Sequence, residues 1–427
     1  MAIEDRLQIK YNQVCSKYQG YFTKPVYKFV RQLVFGIRKA RHVHLSMSAR
    51  SLNESITLKK PWERLSRQLG RAGLAAETTA AHLRENRRAF RSEAYWVVDL
   101  TDITKMYAKA MEGLAGVWDG SRGERGNGYW VVNAAGVSPK NGSISLMYSE
   151  LYSLEHETEK SESENSKMLS AVAQLREHLG VARTAVLDRG GDRRVILENF
   201  LKNKQPFIIR QRGDRHVFVG DARMSVCGAA AWIKCVYQKT VMKIRKGKGR
   251  RIHFNGGAIR VHLPRQCGGM FSQALWLVRL TRRDGKAESW YLCGIEAENA
   301  EQAFETALEG YGCRWKIEEV HRQIKTDYHL ESVQLQRYCA LKNFNALFWT
   351  AMNFIYRDLE GLTVELIESC EEKLSYKPSI HDIIGFCYYK LSRAVQLIFS
   401  RLRLNDLSRH YPHPPQAAAR QFTLAFT

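Results

Sequence analysis

No two of the nine cysteines stand at Cys-x2-Cys spacing; they occur singly at 15, 227, 235, 267, 293, 313, 339, 370 and 387. That pattern argues against a zinc site. The odd count, and a polar N-terminus (MAIEDRLQIK) without a signal-peptide pattern, lead us to expect reduced thiols in a cytoplasmic compartment. No apolar run approaches the roughly 18 residues of a membrane span. The nearest, Asn345 to Tyr356, reads as a buried helix. No internal repeat is visible, and no helix-turn-helix pattern is clean enough to name a recognition helix.

Negative charge is also scarce. Asp and Glu number 43 against 66 Lys and Arg, for a net charge of +23 and a pI near 9.7. Such a surplus suits a polyanionic partner. Nucleic acid is favoured, because each neutralised phosphate releases counterions. A membrane surface fits less well, since the cations are spread along the chain and not gathered in one amphipathic segment. In other respects the chain is ordinary: 44% hydrophobic, 26% charged, and at 427 residues long enough for two or three cores.

Residues 1–90 are basic and helical in pattern, and read as a DNA-binding region. Tyr21 to Arg41 mixes aromatic, aliphatic and basic residues. Between His44 and Leu69 the apolar set is Leu45, Met47, Leu52, Ile56, Leu65 and Leu69. Ser48, Ser51, Asn53 and Ser55 offer caps or phosphate contacts, with Arg64, Ser66 and Arg67 on an exposed side.

The apolar period then falls from 3.6 to 2. Tyr95–Leu100 is a strand. A glycine-rich loop from Gly113 to Gly128 leads to a second strand, Gly128–Val137. The turn Pro139-Lys140-Asn141-Gly142 returns the chain as Ser143–Tyr148, giving an antiparallel meander. The acidic stretch Glu150–Glu164 reads as a solvated loop before a helix over Asn165–Leu179. Thr184–Leu187 is a strand ending in Asp188; a helix runs to Lys202, and Gln205–Gln211 is a fifth strand.

The order β-β-β-α-β-α-β is that of a ribonuclease-H-like domain. The expected architecture is therefore α/β. A ribonuclease-H-like core, a mixed sheet flanked by helices, begins in 91–212. A β-rich insertion fills 213–296, and a core helix lies in 297–335. A helical C-terminal region occupies 336–404, with one helix over Val333–Glu360 and another over Ile380–Leu404; a mobile, proline-containing tail is expected at 405–427. The insertion carries the β-like runs HVFV, RRIHF, AIRVHL, ALWLVRL and SWYLCG. It also carries KIRKGKGRR (243–251), which suits either a solvated loop or a DNA backbone.

Three acids could carry chemistry. Asp99 and Asp188 each follow an apolar strand, so that carboxylates on neighbouring strands would converge at a sheet edge. Like charges there require a cation, and Mg²⁺ takes oxygen ligands. The third acid is Glu318. On a helix, Tyr311, Arg314, Glu318 and Lys325 fall within a sector of about 60°, opposite Cys313, Ile317, Val320 and Ile324. Asp102 and Asp192 are rivals: Asp102 could cap a following helix, and Asp192 stands where an N-cap is expected. This much supports metal-dependent attack on a phosphodiester and leaves a nuclease or resolvase open.

These residues resemble the DDE transposases of bacterial insertion sequences, in the branch marked by Y-x2-R-x3-E-x6-K. Tyr311, Arg314, Glu318 and Lys325 match at every spacing, Val97-Val98-Asp99-Leu100-Thr101 matches the first-acid context, and Asp188-Arg189-Gly190-Gly191 the second. The resemblance covers about residues 90 to 360 and includes a β insertion. It implies that Asp99, Asp188 and Glu318 hold two Mg²⁺ ions, with Mn²⁺ as a substitute. It also implies that Tyr311, Arg314 and Lys325 bind phosphates of the transposon end, with Arg322 among the DNA-contacting cations. Trp290, 21 positions before Tyr311, would stack on a flipped base near Arg210. A core strand tryptophan is the alternative at 290. The partners implied are double-stranded DNA, both terminal inverted repeats and target, and a second copy of the chain. The location implied is a bacterial cytoplasm, at the nucleoid. The activity implied is end cleavage and strand transfer, by cut-and-paste through a hairpin. A domesticated, repressor-like DNA-binding protein without catalysis is the rival from another class.

Overall fold

The computed structural model describes residues 2–119, 123–139, 142–156, 163–245, 248–285, 287–371 and 387–404. The expected tail, residues 140–141 of the expected turn, 246–247 of the basic run and 380–386 of the expected last helix lie outside the described residues.

Six helices come first: α1 (Ile3–Lys17), α2 (Lys24–Ala40), α3 (Leu45–Ser51), α4 (Lys59–Leu69), α5 (Leu74–Glu85) and α6 (Arg87–Arg91). The mixed pattern of Tyr21–Arg41 resolves into a helix, α2, buried on one face through Val26, Phe29, Val30, Leu33 and Ile37 and, over its second half, on the other sides too, through Gln32, Phe35 and Arg38. Ser48 is not free for a phosphate. It is fully buried where α3 crosses α2, and a Cβ on Gly36 would lie 2.8 Å from its Cβ. Ile56 drops out of the apolar set at 42% exposure, and Arg64 is paired with Glu54 at 2.6 Å.

Among the described residues twelve strands follow. Those of the first part are β1 (Tyr95–Thr104), β2 (Ala115–Asp119), β3 (Glu124–Val137) and β4 (Ile144–Tyr152). Next come α7 (Glu164–Leu179), β5 (Thr184–Leu187), α8 (Arg194–Lys202) and β6 (Phe207–Arg210). The insertion holds β7 (His216–Val219), β8 (Ala222–Ser225), α9 (Val226–Ala231), β9 (Tyr237–Arg245), β10 (Lys248–Val261), β11 (Leu275–Arg282) and β12 (Glu288–Gly294). Beyond it lie α10 (Ala300–Thr326), α11 (Tyr338–Asn353), α12 (Thr363–Glu371) and α13 (Tyr388–Ser400).

Ten of the strands form one sheet in the order β2-β3-β1-β5-β6-β12-β11-β10-β9, with β4 also on β3. β3 runs antiparallel to β1, whereas β5 and β6 run parallel to it. The protein is α/β, a mixed sheet flanked by helices. The order β4-β3-β1-β5-β6 is compatible with a ribonuclease-H-like core. Alternate residues of β1 face opposite layers, as the strand period requires. Tyr95 and Val97 join the core shared with α10, α11 and the N-terminal helices. Trp96 and Val98 join the core under α7 and α8.

Several expectations change. The stretch read as a glycine-rich loop holds β2, whose Val117 is buried and which pairs with the start of β3. RRIHF and the first four residues of AIRVHL belong to one strand, β10. The ends of the basic run lie in β9 and β10. Strands β9 to β12 continue the main sheet through the antiparallel pairing of β12 with β6. The helix expected over Val333–Glu360 starts at Tyr338 and passes into a π-helical turn, Phe354–Asp358. No helix among the described residues is long and apolar enough to cross a membrane, and all nine cysteines are free thiols.

Candidate active site

β1 and β5 pair in parallel register, Tyr95 with Thr184, Trp96 with Ala185 and Val97 with Val186. Continued two residues further, the same register sets Asp99 beside Asp188. β1 itself runs on to Thr104, so Asp99 lies within the strand. Asp188 is the first residue past β5, and its Oδ1 accepts the Gly190 N–H at 2.7 Å, capping a 3-10 turn.

α10 supplies the third acid. Asn299 caps its start by accepting the Gln302 N–H at 2.9 Å. Cys313, Ile317, Val320 and Ile324 are buried against the sheet. The helix comes close at Gly310, where a Cβ would lie 2.6 Å from Ile208 Cδ1 and 2.7 Å from Tyr95 Cε1. From α10, Arg314 reaches both sides of the cluster. Its Nη1 stands 3.6 Å from Asp99 Oδ2, and its Nη2 donates to Glu318 Oε1. Asp99 keeps 15% of its side chain exposed and Glu318 keeps 30%.

Burial pushes the Asp99 carboxyl up to about 7; Arg314 opposes that shift, and the charges of Asp188 and Glu318 reinforce it. Asp188 and Glu318 thus both bear on Asp99, and all three carboxylates bear on one guanidinium. Burial disfavours the charge on Arg314, but Asp99, Tyr311 and Glu318 outweigh it and hold its pKa above the ordinary value.

Two residues escaped the sequence reading. The His321 Nδ1 lies 3.9 Å from Asp99 Oδ2, and its Nε2 accepts from Asn133 Nδ2 at 3.0 Å. Burial, then Lys325 and Arg314, push His321 down to about 3, so the ring is neutral. The available signal was weak for His321, which stands three residues past Glu318, and absent for Asn133, which only the pairing of β3 with β1 sets opposite Asp99.

The rival acids have other tasks. Asp102 lies within β1, accepts from Thr104 Oγ1 at 2.7 Å and pairs with Lys325 Nζ at 3.0 Å; it caps no helix. Lys325 also pairs with Glu331 at 3.1 Å. Asp192 is buried, accepts the Arg212 N–H at 3.0 Å and pairs with Arg215. The N-cap of α8 is Arg193, which makes no side-chain cap bond.

An aromatic group flanks the acids. The Tyr311 ring lies 4.7 Å from that of Tyr291, with the Arg210 guanidinium 5.9 Å from its centroid. Trp290, on β12, is half-buried; its indole N–H donates to Glu288 Oε1 at 3.0 Å. Its ring covers Gly213, whose φ of 108° and lack of a Cβ permit the contact. Arg322 is not drawn into the cluster: it is exposed, pairs with Glu319 and lies 5.7 Å from the Trp315 ring.

The donor set of Asp99, Asp188 and Glu318 is all oxygen, which suits a hard divalent cation. Among the described residues no three ligating side chains stand grouped for a metal ion. Arg314 lies between Asp99 and Glu318 and supplies the positive charge instead. A cation entering here would have to draw Glu318 away from that guanidinium.

No family model and no curated protein matches the chain. Among solved structures it is similar to the piggyBac transposase synaptic complex with hairpin DNA, at 11% identity and a TM-score of 0.40, over 97% of this chain and 83% of that one. That likeness is too slight to bear on fold or activity, so the class defined by the coordinates is an α/β protein with an acid cluster at the junction of β1, β5 and α10.

Proposed function

We propose that the chain is a metal-dependent DNA transposase of the DDE type, which cuts at transposon ends and joins them to target DNA. The supporting observation is the register of β1 and β5, which sets Asp99 beside Asp188, with Glu318 linked to Asp99 through Arg314. In this reading the core is ribonuclease-H-like, and Asp99, Asp188 and Glu318 hold two Mg²⁺ or Mn²⁺ ions. Such ions, when bound, supply an activated water or 3′-hydroxyl and stabilise the leaving oxygen. Arg314, once released by Glu318, turns to a DNA phosphate together with Lys325 and Tyr311. Trp290 and Arg210 receive the base flipped out as the end closes into a hairpin, Arg322 contacts the backbone further along, and two copies of the chain hold two ends.

The test uses the purified protein and a duplex carrying the repeats that flank its coding sequence. Nicking at the repeat end is expected with Mg²⁺ and absent with chelator. Asp188→Asn is expected to slow nicking by at least roughly 100-fold, the upper range for loss of a mere outer-shell group, while duplex affinity is retained. Nicking by this variant at the wild-type rate would remove Asp188 from the site.

A second reading, a DNA-binding protein without catalysis, draws support from Arg314, which already neutralises the acids. Binding of the repeats with no Mg²⁺-dependent nick would favour it.

A further inference from the structure

At the other end of β5 from Asp188 the surface is strongly cationic. Arg183 directly precedes β5, and a four-residue strand spans roughly 13 Å. Above it, Arg84 stands one residue before the end of α5, next to Glu85, which accepts from the Tyr21 hydroxyl, and Arg87, Arg88 and Arg91 follow on α6; all four arginines are exposed. Their spacing of three to four residues keeps them near one another over about 10 Å of helix. The C-terminal end of α7 packs alongside and adds Arg176 and His178.

These arginines are not consumed by local acids. Arg87 Nε donates to the Leu179 carbonyl at 3.2 Å. Arg183 donates to the Arg91 carbonyl at 2.6 and 3.2 Å, and Arg176 to the Asn203 carbonyl at 2.7 Å. Carbonyls fix the side chains without cancelling their charge. Among the described residues none of these six arginines is in an ion pair with a carboxylate. Arg84, Arg87, Glu177 and His178 line a recess of about 330 Å³, in which Glu177 is the one acid. Neighbouring cations repel one another, and a polyanion relieves that repulsion. A small anion would engage one or two of them. A duplex, with a charge about every 1.7 Å of its axis, matches the whole run.

We propose that this cluster on α5, α6 and the end of α7 is a second binding surface for the backbone of double-stranded DNA, set apart from the acid cluster. It reads charge and not sequence, and, in the part of this proposal that rests on the transposase reading, it holds a stretch of duplex other than the one at Asp99 and Asp188.

The test compares three triple variants of the full chain. Arg84→Glu/Arg88→Glu/Arg91→Glu alters the cluster and spares Arg87, Arg176 and Arg183, whose bonds support the fold. Arg393→Glu/Arg401→Glu/Arg403→Glu changes net charge equally on exposed positions at and just after α13, where Arg401 gives up a surface pair with Glu4 at 2.9 Å. Affinity for a duplex of arbitrary sequence is measured over a salt series. The cluster variant is expected to bind roughly 10-fold or more weakly at low salt, with the slope of log K against log salt shallower by about two to three, near 0.9 per lost phosphate contact. The α13 variant is expected to stay near wild type, and Arg84→Lys/Arg88→Lys/Arg91→Lys to recover most of the loss. Equal losses in the two Glu variants would overturn the proposal. So would a cluster variant that loses anionic phosphatidylserine vesicles but keeps the duplex, which would assign the surface to a membrane. If the triple Glu variant melts lower than wild type, the Lys variant and the single reversals at 84 and 88 decide on the same criterion. Nicking at a short end duplex is followed in parallel. Wild type that nicks, with both Glu variants binding alike, sinks the second surface alone; wild type that neither binds nor nicks sinks the transposase reading as well.

Discussion

Arg314 is the residue on which the cluster turns. It neutralises Asp99 and Glu318 at once, yet burial still leaves Asp99 raised to about 7. The sign of the linkage follows. A carboxyl whose folded pKa lies above its unfolded value near 3.8 contributes stability below the unfolded value, and that contribution is lost as pH rises through about 7. Above that point the charged Asp99 costs the metal-free protein up to roughly 4 kcal/mol. Asp99→Asn in chelator is therefore expected to melt higher than wild type at about pH 8 and alike near pH 4. Thermal melts along pH check this; identical melting at the higher pH would mean that Asp99 ionises at no cost. His321 belongs to the same scale. With Asn133 donating to its Nε2, the proton on Nδ1 faces Asp99.

At the scale of elements, α10 is a lever. Its apolar side fixes its height above the sheet, and Gly310 sets how low it lies over Tyr95 and Ile208. Gly310→Ala is expected to lift the helix, costing about 1–3 kcal/mol as overpacked cores do. Mg²⁺-dependent nicking should fall with it, because Glu318 moves relative to Asp99, while duplex binding persists. Urea unfolding gives the first quantity. A variant as stable as wild type would show that the sheet yields instead. The helix was legible in the sequence because its period is local: Arg314 and Glu318 are one turn apart, and the buried residues repeat on the opposite side. β2 was not legible, because glycines hid a short strand whose only warrant is its pairing with β3.

At the scale of the molecule, the N-terminal helices are not a separate layer. They share a core with α10 and α11. Arg38, 2% exposed, donates to the Ala351 carbonyl at 3.0 and 3.2 Å and lies 3.8 Å from the Phe354 ring centroid. Arg41 pairs with Asp327 at 2.8 Å, just past the end of α10, and the Val43 N–H donates to the Tyr328 carbonyl at 3.1 Å. Arg38→Ala is expected to cost about 2–5 kcal/mol, since it opens a cavity and removes a cation from the rings of Phe354 and Tyr11. Denaturant midpoints measure the loss. A cost below about 1 kcal/mol, the range of exposed substitutions, would mean that the two ends of the chain dock without Arg38.

The sequence by itself determined what is periodic or composed: the apolar runs leading to Asp99 and Asp188, the two-sided helix of Glu318, the basic surplus and the lack of paired cysteines. The tertiary structure decided what is paired across distance. It set β5 against β1, continued the sheet from β6 into β12, gave Asp102 to Lys325 and Asp192 to Arg215, and placed Arg314 among the acids. The physical reason is one of range. A helix is closed by hydrogen bonds four residues apart and writes its period into the chain, whereas a parallel pair of strands joins residues far apart in sequence. Which of several acids then share one guanidinium depends on packing that no local spacing encodes.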